Sequence, residues 1–562
     1  MRGIYIFLKY WWLVPLYLSN FYGCKVSEKA DLIFVNGNIF TADDSIPFAS
    51  AIAVKSHNII AVGETDQILN YKTDQTTVID LGGKFAMPGL HEGHAHFLSL
   101  GKSLNNLQLQ NARNWDEIVL LASHFAEKID SGAWIEGRGW HQDKWDKPVH
   151  PSVNSYPYHD QLSSFTSKNP VVLIHASGHG LIANQMAMDI AGISKESVAP
   201  AGGRIVKDDR GQITGVFEEN AMELITRPLR EFQKKTYQEK IKVYAQSATE
   251  EALKYGITSF QDAGVTLEEL NALYLIFQEG KQKIKLSFMH FDNYPEIMRT
   301  IDQIPFHSSN EDMFSCKSIK LYIDGALGSY GAWLLSPYAD NPQSTGQNTM
   351  TISSIDSVAK ICFDRKLQLC THAIGDRANR EVLNIFRSYP NPNLRWRIEH
   401  AQHIDPSDIP RFAEQNIIAS IQAIHCTSDA PFVSKRLGIQ RAKETSYKWR
   451  SLLDHHARLA NGTDAPVESI NPFECIYASV TRRRLDNDLV FFPEESMTRV
   501  EALKSYTIWN SYASFHEKRT GSLIPGKSAD IIVLDRDLLH CKEADIPGTQ
   551  VLSVYLNGIK IR

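Results

Sequence analysis

Eight short apolar stretches, separated by segments with apolar residues at helical spacing, limit the fold more than any other feature of this chain. They are 85–96, 256–262, 285–291, 318–324, 367–372, 396–402, 417–425 and 458–464, and most close on a polar or ionisable residue. Strand-length apolar runs that alternate with helices indicate a parallel sheet covered by helices. The connecting stretches 239–255 and 358–365 carry the helical period. Eight such units predict an α/β fold, a (β/α)8 TIM-type barrel with its chemistry at the C-terminal ends of the strands. A doubly wound open sheet is the structural competitor. The interval from Phe97 to about Lys254 is too long for one crossover, so it holds an insertion after strand 1, roughly 100–250. Within it, 134–145 and 170–184 are rich in aromatics, Gly and His, as a lid or pocket wall would be.

At 562 residues the chain exceeds one ordinary core. Its two ends repeat a strand theme. The stretch 31–41 reads as a hairpin around Asn36-Gly37, whose residues tolerate positive φ. The pairs 51–54 and 59–62, then 530–534 and 551–556, follow, with a further turn at Asn557-Gly558. Neither end has enough strand to bury a face alone. The pieces 30–84 and 520–562 are therefore expected to form one split β-sandwich beside a barrel spanning 85–519. Residues 1–24 read as a leader: Arg2 and Lys9, then the uncharged run 10–18, far short of the ~20 residues that span a bilayer. Gly23-Cys24 resembles the end of a bacterial lipobox, so the expectation is an exported, periplasmic or membrane-anchored lipoprotein tethered through Cys24; the alternative is a cytoplasmic enzyme. A net charge of −5 gives no footprint for nucleic acid. Seven cysteines without a C-x-x-C spacing dictate no disulfide. Cys370 and Cys426, in apolar strands, read as buried thiols. A homo-oligomer is left open.

Chemistry concentrates where the predicted strands end. In Gly89-Leu90-His91-Glu92-Gly93-His94-Ala95-His96, His94 and His96 point to one side of a strand. Neutral imidazole is the commonest ligand for zinc-like ions, although polar residues running out into solvent would look the same. In 318–324, Ile319, Leu321 and Ile323 share one face and Lys320, Tyr322 and Asp324 the other. A buried Lys320 either pairs with a neighbouring acid such as Asp324 or, as a neutral amine, takes up CO2 to form a carbamate. His372 and His400 close two further strands. Asp464 closes the last, as a helix N-cap or as a metal-adjacent carboxylate that accepts a proton from water.

Together, His94, His96, Lys320, His372, His400 and Asp464 resemble the ligand set of the amidohydrolase superfamily. The runs Asp324-Gly325-Ala326-Leu327-Gly328-Ser329, His372-Ala373-Ile374-Gly375-Asp376-Arg377, Ile398-Glu399-His400-Ala401-Gln402 and Pro525-Gly526-Lys527-Ser528-Ala529-Asp530 resemble its family-3 branch, which includes N-substituted formamide deformylase. The resemblance covers the chain from about Ala30 onwards. It implies a metal-dependent hydrolase that cleaves a non-peptide amide-type C–N bond of a small molecule, with one or two divalent ions, zinc foremost. His94, His96 and Asp464 would hold one ion and His372 and His400 the other, with carboxylated Lys320 between. Asp464 would take the proton of water and return it to the departing nitrogen. His179, in Ser177-Gly178-His179-Gly180, resembles a substrate-pocket histidine; Trp140, Tyr330 and His425 are further pocket candidates. The chain departs from the branch at Glu92, usually Asp, and at Tyr330-Gly331, often Arg-Thr. Two rivals stand beside this reading: an esterase or lactonase using the same chemistry, and a non-catalytic lipid-anchored binding protein, which would lack ligands.

Overall fold

A computed structural model describes residues 29–142, 145–175, 180–200, 203–487 and 489–562. The expected leader with Cys24, and His179, fall outside these.

Eight parallel strands follow one another in chain order around a barrel: β1 (Leu90–Ala95), β2 (Ile257–Val265), β3 (Lys285–His290), β4 (Phe314–Tyr322), β5 (Gln368–Ala373), β6 (Arg397–His400), β7 (Ile418–Ile421) and β8 (Arg458–Asn461). On β4, Ile319 and Leu321 share the main core with Ile355, Val358 and Ala359 of the following helix, Ile352–Arg365. The alternation that sends these residues outward sends Lys320 into the barrel, where it is fully buried.

Side chains fasten the seam between β1 and β8. Asn510 Nδ2 donates to the carbonyls of His91 (2.5 Å) and Asn461 (2.7 Å), and its Oδ1 accepts from Asn461 N (3.0 Å). Glu92 accepts from the backbone of Thr463 (2.8 Å) and from its hydroxyl (3.0 Å). Beyond them the backbone joins directly, Asp464 N to His94 O at 2.7 Å and His96 N to Ala465 O at 2.8 Å.

The expected first strand, 85–96, is two strands. Phe85–Pro88 belongs to a six-stranded sheet with Ile531–Leu534, Val551–Leu556, Ile559–Lys560, Asn38–Phe40 and Phe48–Ala49. The chain enters the barrel only after Gly89, where any Cβ would meet Thr258 Oγ1 at 2.2 Å. A four-stranded sheet holds Asn58–Gly63, Ala51–Lys55, Leu32–Val35 and Thr77–Asp80. Phe34, Ile52 and Val54 from it share a core with Ile39, Ile531, Val533 and Tyr555 from the other. Asn36 does take positive φ. The expected hairpin there is nonetheless absent, because Leu32–Val35 and Asn38–Phe40 part into different sheets.

Between β1 and β2 lies a second six-stranded sheet, from Leu107–Gln108 to Ile213–Glu219, followed by the 32-residue helix Glu223–Lys254. Ile225 and Leu229 at one end of this helix pack in the insertion, and Ile241, Ala245, Ala248 and Ala252 pack on the barrel. One rigid rod thus fixes the insertion to the barrel wall. Cys370 lies on β5 as expected; Cys426 is instead in the helix Ala423–Leu437, and both thiols are buried and free.

Candidate metal centre

The strand ends bring together residues far apart in sequence. Donor atoms of His94, His400 and Asp464 lie within 4.8 Å of one another. His96 Nε2 is 3.1 Å from Asp464 Oδ1, and His94 Nε2 is 3.6 Å from the same oxygen. The His372 ring centroid is 4.4 Å from that of His400. His400 thus lies close both to His372 and to the pair His94 and Asp464. His400 and Asp464 sit at left-handed backbone positions, φ 73° and 60°, just where their strands turn outward. Such angles cost about 1–3 kcal/mol each and are retained where they aim a functional side chain.

A second layer sets which nitrogen each imidazole presents. Glu399 Oε2 takes His94 Nδ1 at 2.5 Å, so Nε2 faces the cluster. Gln422 Oε1 takes His400 Nδ1 at 2.6 Å. Arg397, wholly buried, forms an ion pair with Glu399, its Nε 2.7 Å from Oε1 and its Nη2 donating to Oε2 at 3.0 Å, and also donates to Gly93 O, Ser420 and Gln261. Burial opposes the charge of Glu399, but Arg397 and His94 outweigh it and hold the carboxyl well below its usual range. Burial, aided by Lys320, pushes His94 down to about 4, and burial holds His372 and His400 well below the ordinary histidine value. All three rings are thus neutral near pH 7, the form that ligates metal.

Asp464 stays ionised: burial opposes this, but the hydrogen bond from His425 and the close approach of His96 prevail. Lys320 Nζ has no hydrogen-bond partner. The expected alternative partner, Asp324, instead receives the backbone N–H groups of Ile374 (3.0 Å), Gly375 (2.8 Å) and Trp333 (2.8 Å). His94 Nε2, both His372 nitrogens and Asp464 Oδ1 are likewise buried without hydrogen-bond partners. Orphaned polar atoms such as His94 Nε2 and Asp464 Oδ1, 3.6 Å apart, suit a cation, since each would otherwise cost about 1–3 kcal/mol.

The pocket candidates fare differently. His425 joins the centre, with Nε2 3.2 Å from Asp464 Oδ2. Burial opposes its charge, yet hydrogen bonds to Asp464 and Glu468 raise it to about 10. Trp140 is only 1% exposed, its indole donates to Leu173 O at 2.8 Å, and it packs in the core of the insertion. Tyr330 spends its surfaces locally, its ring under the Arg436 guanidinium at 4.0 Å and its hydroxyl on Asp340 at 3.3 Å. Sequence reasoning missed Arg397, Glu399, Gln422 and Asn510. The first two carried a signal, two opposite charges at i and i+2 on a strand otherwise apolar.

A parallel barrel with histidines and an aspartate gathered at the strand ends is the arrangement of a metal-dependent hydrolase. The chain belongs to the amidohydrolase family, whose pattern matches residues 77–559. It is 32% identical over 543 residues to Protein LONG AFTER FAR-RED 3 of Arabidopsis thaliana, covering 94% of this chain and 91% of that one. It is 25% identical over 547 residues to the N-substituted formamide deformylase of Arthrobacter pascens, covering 95% and 98%. An uncharacterised metal-dependent hydrolase from Pyrococcus horikoshii has a similar structure, with TM-score 0.75 and 26% identity over 91% of this chain and 99% of that one.

Proposed function

We propose that this enzyme cleaves a non-peptide amide-type C–N bond of a small molecule, with His94, His96, His372, His400 and Asp464 holding one or two divalent ions, zinc foremost. The observation that carries the reading is that donor atoms of His94, His400 and Asp464 lie within 4.8 Å of one another, with His94 Nε2 and Asp464 Oδ1 buried and without hydrogen-bond partners. A buried Lys320, whose amine has no hydrogen-bond partner and lies 4.8 Å from the centre of the Tyr322 ring, supports carboxylation of that amine as a further ligand. A divalent ion in such a site lowers the pKa of water from ~16 towards ~7 and polarises a carbonyl. The protein's own part is to fix the histidine nitrogens through Glu399 and Gln422 and to keep Asp464 ionised. Asp464 then takes the proton of the attacking water and returns it to the departing nitrogen. The deformylase relative supports a C–N bond over an ester. The binding-protein rival requires lost ligands, and all six expected positions are filled.

The test is a screen of N-acyl amines, formamides, cyclic amides, esters and lactones with enzyme loaded with metal and bicarbonate. Released amine is the expected product; turnover of esters and lactones alone would replace this reading by the esterase one. Export with a lipid on Cys24 is a separate proposal, read by the mass of the mature N-terminus and by its partition into detergent. A full-length N-terminus in the soluble fraction would refute it.

A further inference from the structure

His425 is held from both sides by carboxylates of a single turn. Asp464 Oδ2 lies 3.2 Å from Nε2, and Glu468 Oε1, four residues on, lies 3.4 Å from Nδ1. The turn is closed by Val467 N donating to Asp464 O at 2.9 Å. Glu468 is itself fixed by the hydroxyl of Ser428, at 2.5 Å to the same oxygen. Ser428 and His425 share the first turns of the helix Ala423–Leu437. Arg484 donates to the carbonyls of Thr427 (3.2 Å) and Ser428 (3.3 Å), anchoring that segment.

The two oxygens of Asp464 have separate surroundings. Oδ2 meets His425, whereas Oδ1 faces His94 and His96. A carboxylate can rotate about its last bond and swing the plane of its two equivalent oxygens away from both neighbours. A ring clamped at both nitrogens prevents this by offering a donor to one side only. Side-chain exposure rises along the row, from 9% at Asp464 to 12% at His425 and 23% at Glu468.

We infer that Glu468, with Ser428 behind it, is a positioning residue that acts through His425 to fix the plane of the Asp464 carboxylate, so that one oxygen stays turned towards the metal site. This rests on the metal-centre reading above. Outer partners of ligands typically alter metal affinity or activity by about 10–100-fold. Glu468 stands one residue further out, so the lower end of that range applies.

The test is a double-mutant cycle on the whole enzyme, with affinity for Zn2+ read by chelator competition and kcat and KM read separately. Glu468→Ala is expected to weaken Zn2+ binding and to lower kcat about tenfold each, with KM within about twofold. His425→Asn should lose at least as much, and the double variant no more than His425→Asn alone. Glu468→Gln, which keeps an acceptor for Nδ1, should recover most of the loss. Wild-type Zn2+ affinity in Glu468→Ala, or losses that add to those of His425→Asn, would overturn the inference. If Glu468→Ala does not fold, Ser428→Ala reads the same coupling at about threefold, and an affinity equal to wild type would count against it equally. Should the wild-type enzyme bind Zn2+ yet cleave nothing, the hydrolase reading falls, while the affinity cycle still decides the role of Glu468.

Discussion

At the scale of single residues, the centre separates groups that do chemistry from groups that aim them. Asp464 offers a clean test because its left-handed backbone, φ 60°, is one that Asn also tolerates. Asp464→Asn should therefore keep the fold and lose the proton acceptor, lowering turnover by about 100–10,000-fold with a melting temperature near that of wild type. Steady-state kinetics and calorimetry check this; retained turnover would remove Asp464 from its assigned role. Glu399 is the contrasting case, since it touches His94 and not the substrate space. Glu399→Gln keeps an oxygen for Nδ1 but leaves Arg397 without its anionic partner. Metal affinity is expected to drop by about 10–100-fold, measured by chelator competition. The six proposed ligand positions drew attention because each sits in a short motif on or just after a barrel strand. Glu399 was harder to read, since a buried charge in a strand shows its purpose only when the strand across the barrel is known.

Among elements, the junction between β1 and β8 carries the most consequence, because His94 and Asp464 are held across it. Asn510 fills three hydrogen bonds there, and Gly93 and Gly462 leave room for it and for Glu92. A Cβ on Gly462 would come within 2.4 Å of Glu92 Oε1 and 2.5 Å of His94 N. Glu92 thus goes with a glycine opposite it. Asn510→Leu would orphan the carbonyls of His91 and Asn461 and the N–H of Asn461, a loss of about 2–4 kcal/mol. The urea midpoint should fall, and metal affinity with it, because the ligands from the two strands lose their common tie. An unchanged midpoint would show that the backbone bonds beyond Asn510 suffice. Eight barrel strands could be read from period and spacing, but their boundaries could not. Gly89 divides the first one because Thr258, on the neighbouring strand, occupies the space of its side chain. The Asn36-Gly37 turn was visible locally, whereas the parting of its two strands depends on Phe85–Pro88 and Thr77–Asp80 offering them separate partners.

For the whole molecule, the terminal strands are bound to the barrel end opposite the candidate metal centre. Phe85–Pro88 runs directly into β1, Gly89 N donates to Asp530 O at 2.9 Å, and Lys285, the first residue of β3, pairs with Asp530 in full burial. Asp530 also accepts Asn557 N at 2.9 Å, so one carboxylate ties β3 to two C-terminal segments. Removing one partner of a buried ion pair leaves the other charge uncompensated, which costs about 3–5 kcal/mol. Lys285→Met is thus expected to destabilise by that amount in equilibrium unfolding. In a barrel of this kind the N-terminal face serves stability and the C-terminal face chemistry. The same variant should accordingly keep Zn2+ affinity and kcat within about twofold at temperatures where it stays folded, unlike Asn510→Leu, whose site lies on the seam that positions ligands. If Lys285→Met lost metal affinity in step with stability, the two faces would be one cooperative unit, and the sheets built from both chain ends would be part of the machinery that shapes the centre.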